Sequence, residues 1–86
     1  MNEELISFPC DFPIKVLGRS DAEFHALVVG LVEPLVGALP AERVTSRESR
    51  DGNFVALTLH LRVESRAQLD DVYRILSGHE QVLMVL

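Results

Sequence analysis

Residues 50–63 read "RDGNFVALTLHLRV", and this stretch decides the fold. From Phe54 onward every second residue is a branched aliphatic. Val55, Leu57, Leu59, Leu61 and Val63 share one face; Phe54, Ala56, Thr58, His60 and Arg62 share the other. Alternation of period two predicts a strand with one buried side. The Asp51-Gly52 pair before it marks a tight turn, because such turns need positive φ and glycine takes it freely. Reading back through that turn, "RVTSRESR" at 43–50 is a polar strand. It suits a sheet edge, where charge discourages stray pairing. A two-residue turn at Asp51-Gly52 sets Arg47 opposite Ala56, Thr45 opposite Thr58 and Arg43 opposite His60.

Upstream, "SFPCDFPIKVLGRS" at 7–20 supplies a second strand. Phe12, Ile14 and Val16 face one way, and Pro13, Lys15 and Leu17 the other, with Gly18 as its end. Residues 1–10 read as a polar arm with Leu5, Ile6 and Phe8 as apolar anchors. Cys10 lies between Pro9 and Pro13, which cannot donate backbone hydrogen bonds, so it reads as a small residue in the lead-in turn. "SDAE" at 20–23 fits a capping box in which Ser20 and Glu23 satisfy each other's backbone amides. The helix that follows carries Phe24, Leu27, Val28, Leu31, Val32 and Leu35 on one stripe. Pro34 is expected to kink it or end its regular part.

Downstream, "SRAQ" at 65–68 is a second capping-box pattern, followed by a stripe of Leu69, Val72, Tyr73 and Leu76. Gly78 stands where a helix C-terminal glycine belongs. "QVLMVL" at 81–86 is a last strand. Val82, Met84 and Leu86 fall on one face and Leu83 and Val85 on the other, so both faces call for cover. The order is β-α-β-β-α-β. It predicts an α+β, ferredoxin-like two-layer sandwich over 1–86, with two helices on one face of an antiparallel sheet ordered 4-1-3-2.

Three segments, "FPCDFPIKVLG", "DGNFVALTLHLRV" and "VYRILSGHEQVLMVL", resemble the YbeD-like family of small bacterial proteins. The likeness rests on Phe8-Pro9, Phe12, Lys15-Val16, Gly18, Gly52-Asn53 with Phe54, then Tyr73, Leu76 and the closing Met84-Val85-Leu86. It spans almost the whole chain. Pro34 is an addition within the more divergent first helix. The resemblance implies a ferredoxin-like fold similar to ACT regulatory domains, and it implies no catalytic activity.

Composition narrows the function. With 86 residues and a net charge of -5, the chain lacks the excess of Lys and Arg that phosphate binding draws on, so no nucleic-acid partner is expected. The acidic start "MNEELISF" is unlike a signal peptide. No apolar run approaches the ~20 residues of a membrane helix. The expectation is a cytoplasmic protein with no membrane partner, in which a lone cysteine stays reduced. A core this small leaves a modest margin, which self-association can supplement.

Chemistry-bearing candidates are few. Cys10 has the carboxylate Asp11 beside it and no His within ten residues to activate the thiol, which speaks against a nucleophile. His25, His60 and His79 fall on different elements, so no metal site and no cofactor is expected. An acylphosphatase-like enzyme would need Arg19 to cradle phosphate opposite an asparagine on a central strand, and Asn53 lies in the hairpin turn instead. The Gly18-Arg19-Ser20 link is the one candidate ligand site. Its glycine admits close approach and the helix start favours an anion; ACT-like domains use this loop for small effectors. The outward sheet face offers a basic and hydroxyl-bearing interaction strip of Lys15, Leu17, Arg43, Arg47, Phe54 and His60. RNA-binding sheets of this topology carry stacking aromatics on both central strands, and Phe54 alone faces outward here.

The reading is a non-enzymatic regulatory or protein-interaction domain that forms a homo-oligomer or docks a cytosolic protein near Leu17, Phe54 and the last strand. The alternative is a sensor of a small metabolite or anion acting through Gly18, Arg19 and Ser20.

Overall fold

A computed structural model describes residues 7–86. In chain order they form β1 (Cys10–Arg19), α1 (Phe24–Val36), β2 (Val44–Glu48), β3 (Phe54–Val63), α2 (Arg66–Ser77) and β4 (Val82–Val85). A short 3-10 turn at Ala41–Arg43 leads into β2. The sheet order is β2-β3-β1-β4, and each neighbouring pair is antiparallel. This is the ferredoxin-like arrangement that the element order predicts.

The centre of the sheet is the long β1–β3 ladder, which runs from Cys10 opposite Val63 to Arg19 opposite Phe54. Because partners point the same way, Ile14, Val16 and Gly18 join the aliphatic row of β3 on one side. Phe24, Val28 and Val32 of α1 and Leu69, Val72 and Leu76 of α2 lie over that row, all buried. Each such side chain removed from water stabilises the fold by roughly 1.5–3 kcal/mol. The apolar stripes therefore place both helices on one face of the sheet and leave the other uncovered among the described residues.

Local details depart from the sequence reading in five places. First, β1 begins at Cys10 and extends through Gly18 to Arg19. Cys10 is a ladder residue opposite Val63 rather than part of a lead-in turn, and Phe8 packs against the core. The anchors Leu5 and Ile6 lie outside the described residues.

Second, α1 has no Ser20–Glu23 capping box. The Glu23 amide donates to Asp21 Oδ1 at 2.8 Å, and the Ser20 hydroxyl donates to Glu48 at 2.9 Å. Third, Pro34 does not end α1, which runs on to Val36. Proline sits in the last turn, and the carbonyl it leaves unpaired belongs to exposed Gly30, where water can satisfy it.

Fourth, the β2–β3 register is as expected, with Arg47 opposite Ala56 and Thr45 opposite Thr58, but Arg43 stays in the 3-10 turn. The connection is longer than two residues. Ser49 N donates to Phe54 O at 2.8 Å and Gly52 N to Ser49 O at 3.0 Å, so the turn closes at Ser49–Gly52. Only Gly52 within it has positive φ, at 78°. Asp51 Oδ1 accepts from Asn53 N and from the Ser49 hydroxyl. Those two bonds, the Asn53 amide foremost, hold the Asp51 carboxyl below the usual carboxylate range.

Fifth, β4 carries a bulge: Leu17 pairs with Met84, but the next residue, Gly18, pairs with Val82. Leu83 is the extra residue, so the simple alternation fails. Val82 and Val85 both sit over the helix side, while Leu83, Met84 and Leu86 are exposed.

The second capping box forms in modified shape. Ser65 Oγ accepts from Gln68 N at 3.2 Å, and Gln68 Oε1 accepts from Glu64 N at 2.6 Å. Gln68 Nε2 also donates to Leu35 O in the last turn of α1, at 2.9 Å. One side chain thus links the two helices. Gly78 follows α2 with φ -84°, so it caps without the left-handed conformation. No helix among the described residues is long and apolar enough to cross a membrane.

Candidate functional site

The uncovered face of the sheet is built in rows across β2, β3, β1 and β4. One row is Arg47, Ala56, Leu17 and Met84. The next is Thr45, Thr58 and Lys15, which exchanges two backbone hydrogen bonds with Leu86 at 2.8 and 3.1 Å. Above the first row, Phe54 pairs with Arg19, whose guanidinium lies over the Phe54 ring at 5.8 Å. Below the second, His60 pairs with Pro13. Four-strand pairing therefore assembles the face from residues far apart in sequence.

Its apolar part is substantial. Phe54 is 39% exposed, Met84 51% and Leu86 60%, with half-buried Leu17 and Ala56 between them. Two shallow depressions adjoin on this face. One, of about 210 Å³, lies among Leu17, Phe54, Val55 and Ala56, with Glu48 and Ser49 at its edge. The other, of about 360 Å³, has Lys15, Thr45, Ser46 and Thr58 around it. Arg47 and Ala56 belong to both.

Five of the six predicted face residues therefore sit together on the strands: Lys15, Leu17, Arg47, Phe54 and His60. Arg43 reaches the same face from outside β2, its Nη1 donating to His60 O at 3.3 Å. Arg19, expected in the link between strand and helix, is a ladder residue of β1 and belongs to the face. Its parity with Lys15 and Leu17 would have placed it there had β1 been carried past Gly18.

The three residues of the predicted ligand loop do not converge. Gly18 is buried on the helix side, where an added Cβ would lie 2.3 Å from Phe24 Cζ. The space a ligand would need beside this glycine is filled by an aromatic ring. Arg19 points to the opposite face, and Ser20 is held to β2 through Glu48 and to the hairpin by its amide on Asn53 O at 2.9 Å. Among the described residues no group of three His, Cys, Asp or Glu side chains could hold a metal ion.

A family model described as a protein of unknown function, DUF493, matches residues 3–86. The chain belongs to the DUF493 family. Members similar to it include a UPF0250 protein of Paraburkholderia phymatum, 48% identical over 86 residues, covering 100% of this chain and 97% of that one. A UPF0250 protein of Neisseria meningitidis is 42% identical over 82 residues, covering 95% and 90%. The YbeD-like resemblance thus holds as a family of small bacterial proteins. Among solved structures, that of HP0495 from H. pylori superposes with a TM-score of 0.70 at 15% identity, covering 94% of this chain and 85% of that one. At that identity the likeness speaks for the ferredoxin-like fold of this DUF493 protein.

Proposed function

We propose that this chain is a non-enzymatic protein-interaction domain that works by docking a partner on the open face of its sheet. The observation that carries the reading is the apolar band of Phe54, Leu17, Met84 and Leu86, left uncovered by the chain's own helices. A small domain leaves a contiguous apolar strip in water when something else covers it. Regulation would follow from occupancy of that face, with a cytosolic partner. The sensor alternative draws less support, because Phe24 occupies the room beside Gly18.

The test compares the native chain with a Phe54→Ser/Met84→Ser variant as immobilised bait in cytosol from a bacterium that carries a close relative. Both side chains are exposed, so both proteins should melt alike. Proteins held by the native chain and lost from the variant support docking on this face. An identical retained set on both baits refutes it. Sedimentation over a concentration series reports separately whether a second copy is the partner.

A further inference from the structure

The docking face is also electrically distinct from the rest of the molecule. Its strands point Lys15, Arg19, Arg47 and Arg62 outward, against a single outward carboxylate, Asp11. Asp11 is already taken up by Arg62, at 3.6 Å. Glu48 lies at the rim of the depression under Phe54, where its carboxylate is taken up by the Ser20 hydroxyl at 2.9 Å. Among the described residues Lys15, Arg19 and Arg47 have no acidic partner within salt-bridge distance. Yet the whole chain carries a net charge of -5, and among the described residues most of the carboxylates lie on the helix layer and the loops. A cationic face on an acidic protein is a directed feature, because a general charge bias would spread over all surfaces.

The cations are arranged around an apolar pocket. Arg47 forms a wall shared by the depression under Phe54 and Leu17 and by the one floored by Thr45 and Thr58. Lys15 closes the far side of the second. Strand spacing sets Arg47 and Lys15 about 12 Å apart at their backbones, two strands across and one row along. A large apolar side chain seated beside Phe54 would therefore have carboxylates of its own segment within reach of both cations.

Resting on the docking reading, we propose that the occupant is an acidic segment of another protein, with an aliphatic or aromatic anchor flanked by Asp or Glu. A second copy of this chain fits poorly. Face against face, it would oppose Lys15 and Arg47 with the same charges. Offering its acidic helix layer instead, it would make a head-to-tail contact, which ends in a closed assembly only where the rotation between copies generates a ring.

The test uses a short synthetic peptide with a central Phe-Leu pair flanked by glutamates, and counterparts with glutamine or lysine in the flanks. A single-stranded oligonucleotide of equal charge is the fourth probe. Each is titrated into the isotopically labelled full chain, with backbone amide shifts and fluorescence anisotropy as readouts. The acidic peptide should shift Leu17, Ala56, Thr58 and Met84, and salt should weaken it several-fold between ~0.05 M and ~0.3 M. Lys15→Glu/Arg47→Glu should weaken it by ~tenfold or more, with an unchanged melting temperature, while Arg66→Gln on α2 has no effect.

If the glutamine or lysine peptide binds this face as well as the acidic one, the charge assignment falls and the docking face stands. If no peptide shifts the face, the docking face falls as well. Tighter binding by the oligonucleotide overturns the acidic-protein assignment. So does self-association in sedimentation that Lys15→Glu abolishes.

Discussion

Replacing Gly18 with alanine tests how β1 and α1 are joined. The added Cβ would lie 2.3, 2.4 and 2.9 Å from three carbons of the Phe24 ring, far inside van der Waals contact. The ring is 2% exposed and packed within the core, so it has no free direction in which to turn. Either the strand and helix separate, at about 1–3 kcal/mol for overpacking, or Phe24 leaves and forfeits roughly 1.5–3 kcal/mol of burial. Gly18 does not have positive φ, so alanine meets no backbone penalty, and restricting the unfolded chain returns about 0.4–1 kcal/mol.

The mid-points of these ranges net to a destabilisation of about 1.5 kcal/mol. Against a total of about 4–13 kcal/mol for a chain of 86 residues, that is a large share. It corresponds to a fall in melting temperature of roughly 6–12 °C. Urea and thermal unfolding followed by circular dichroism measure it. Phe24→Ala removes the clash, so the Gly18→Ala penalty should shrink or vanish in that background, with a coupling of ~1 kcal/mol or more. A neutral or stabilising Gly18→Ala, or strict additivity of the pair, refutes the argument. For the same reason, loss of any binding in Gly18→Val would report packing rather than a ligand loop.

Three further outcomes are expected. Gly52→Ala should destabilise by about 1–2 kcal/mol from the left-handed backbone alone, since its Cβ meets open space; chemical denaturation checks it. Gln68→Ala should cost about 0.5–1.5 kcal/mol because it removes the bonds to the part-buried Leu35 carbonyl and to the exposed Glu64 amide together. Amide exchange in that variant should speed up at Glu64 and around the Leu35–Gln68 junction. The Asp51 carboxyl should titrate below its ordinary 3.8 in a carbon-detected NMR titration. Its depressed folded-state pKa makes its small contribution present above that value and lost as pH falls through the folded one. Asp51→Asn should flatten that acid limb and leave stability near neutral pH almost insensitive to pH at this site.

The strongest local signals carried well into three dimensions. Alternation in Phe54–Val63, the stripes at Phe24–Val32 and Leu69–Leu76, and the Ser65–Gln68 cap each depend on neighbours within a few residues. The weaker reading of the first helix start had a physical cause. Ser20 has a competing acceptor, Glu48, twenty-eight residues away, and no local pattern announces it. The β4 bulge is likewise invisible in "VLMVL" at 82–86, where every residue is apolar and either register is acceptable to the local chain.

Residue type and spacing alone settled which segments are strands and helices, the side of each that seeks the core, and hence the two-layer topology, because burial at fixed backbone periods leaves one consistent packing. The tertiary structure decided what the exposed side is. Pairing of β3 with β1 brought Phe54 to Arg19, and the bulge turned Met84 outward beside Leu17. Packing of α1 filled the room beside Gly18 with Phe24. A surface is made by elements that meet only after the chain has folded, so its chemistry resides in the register between strands.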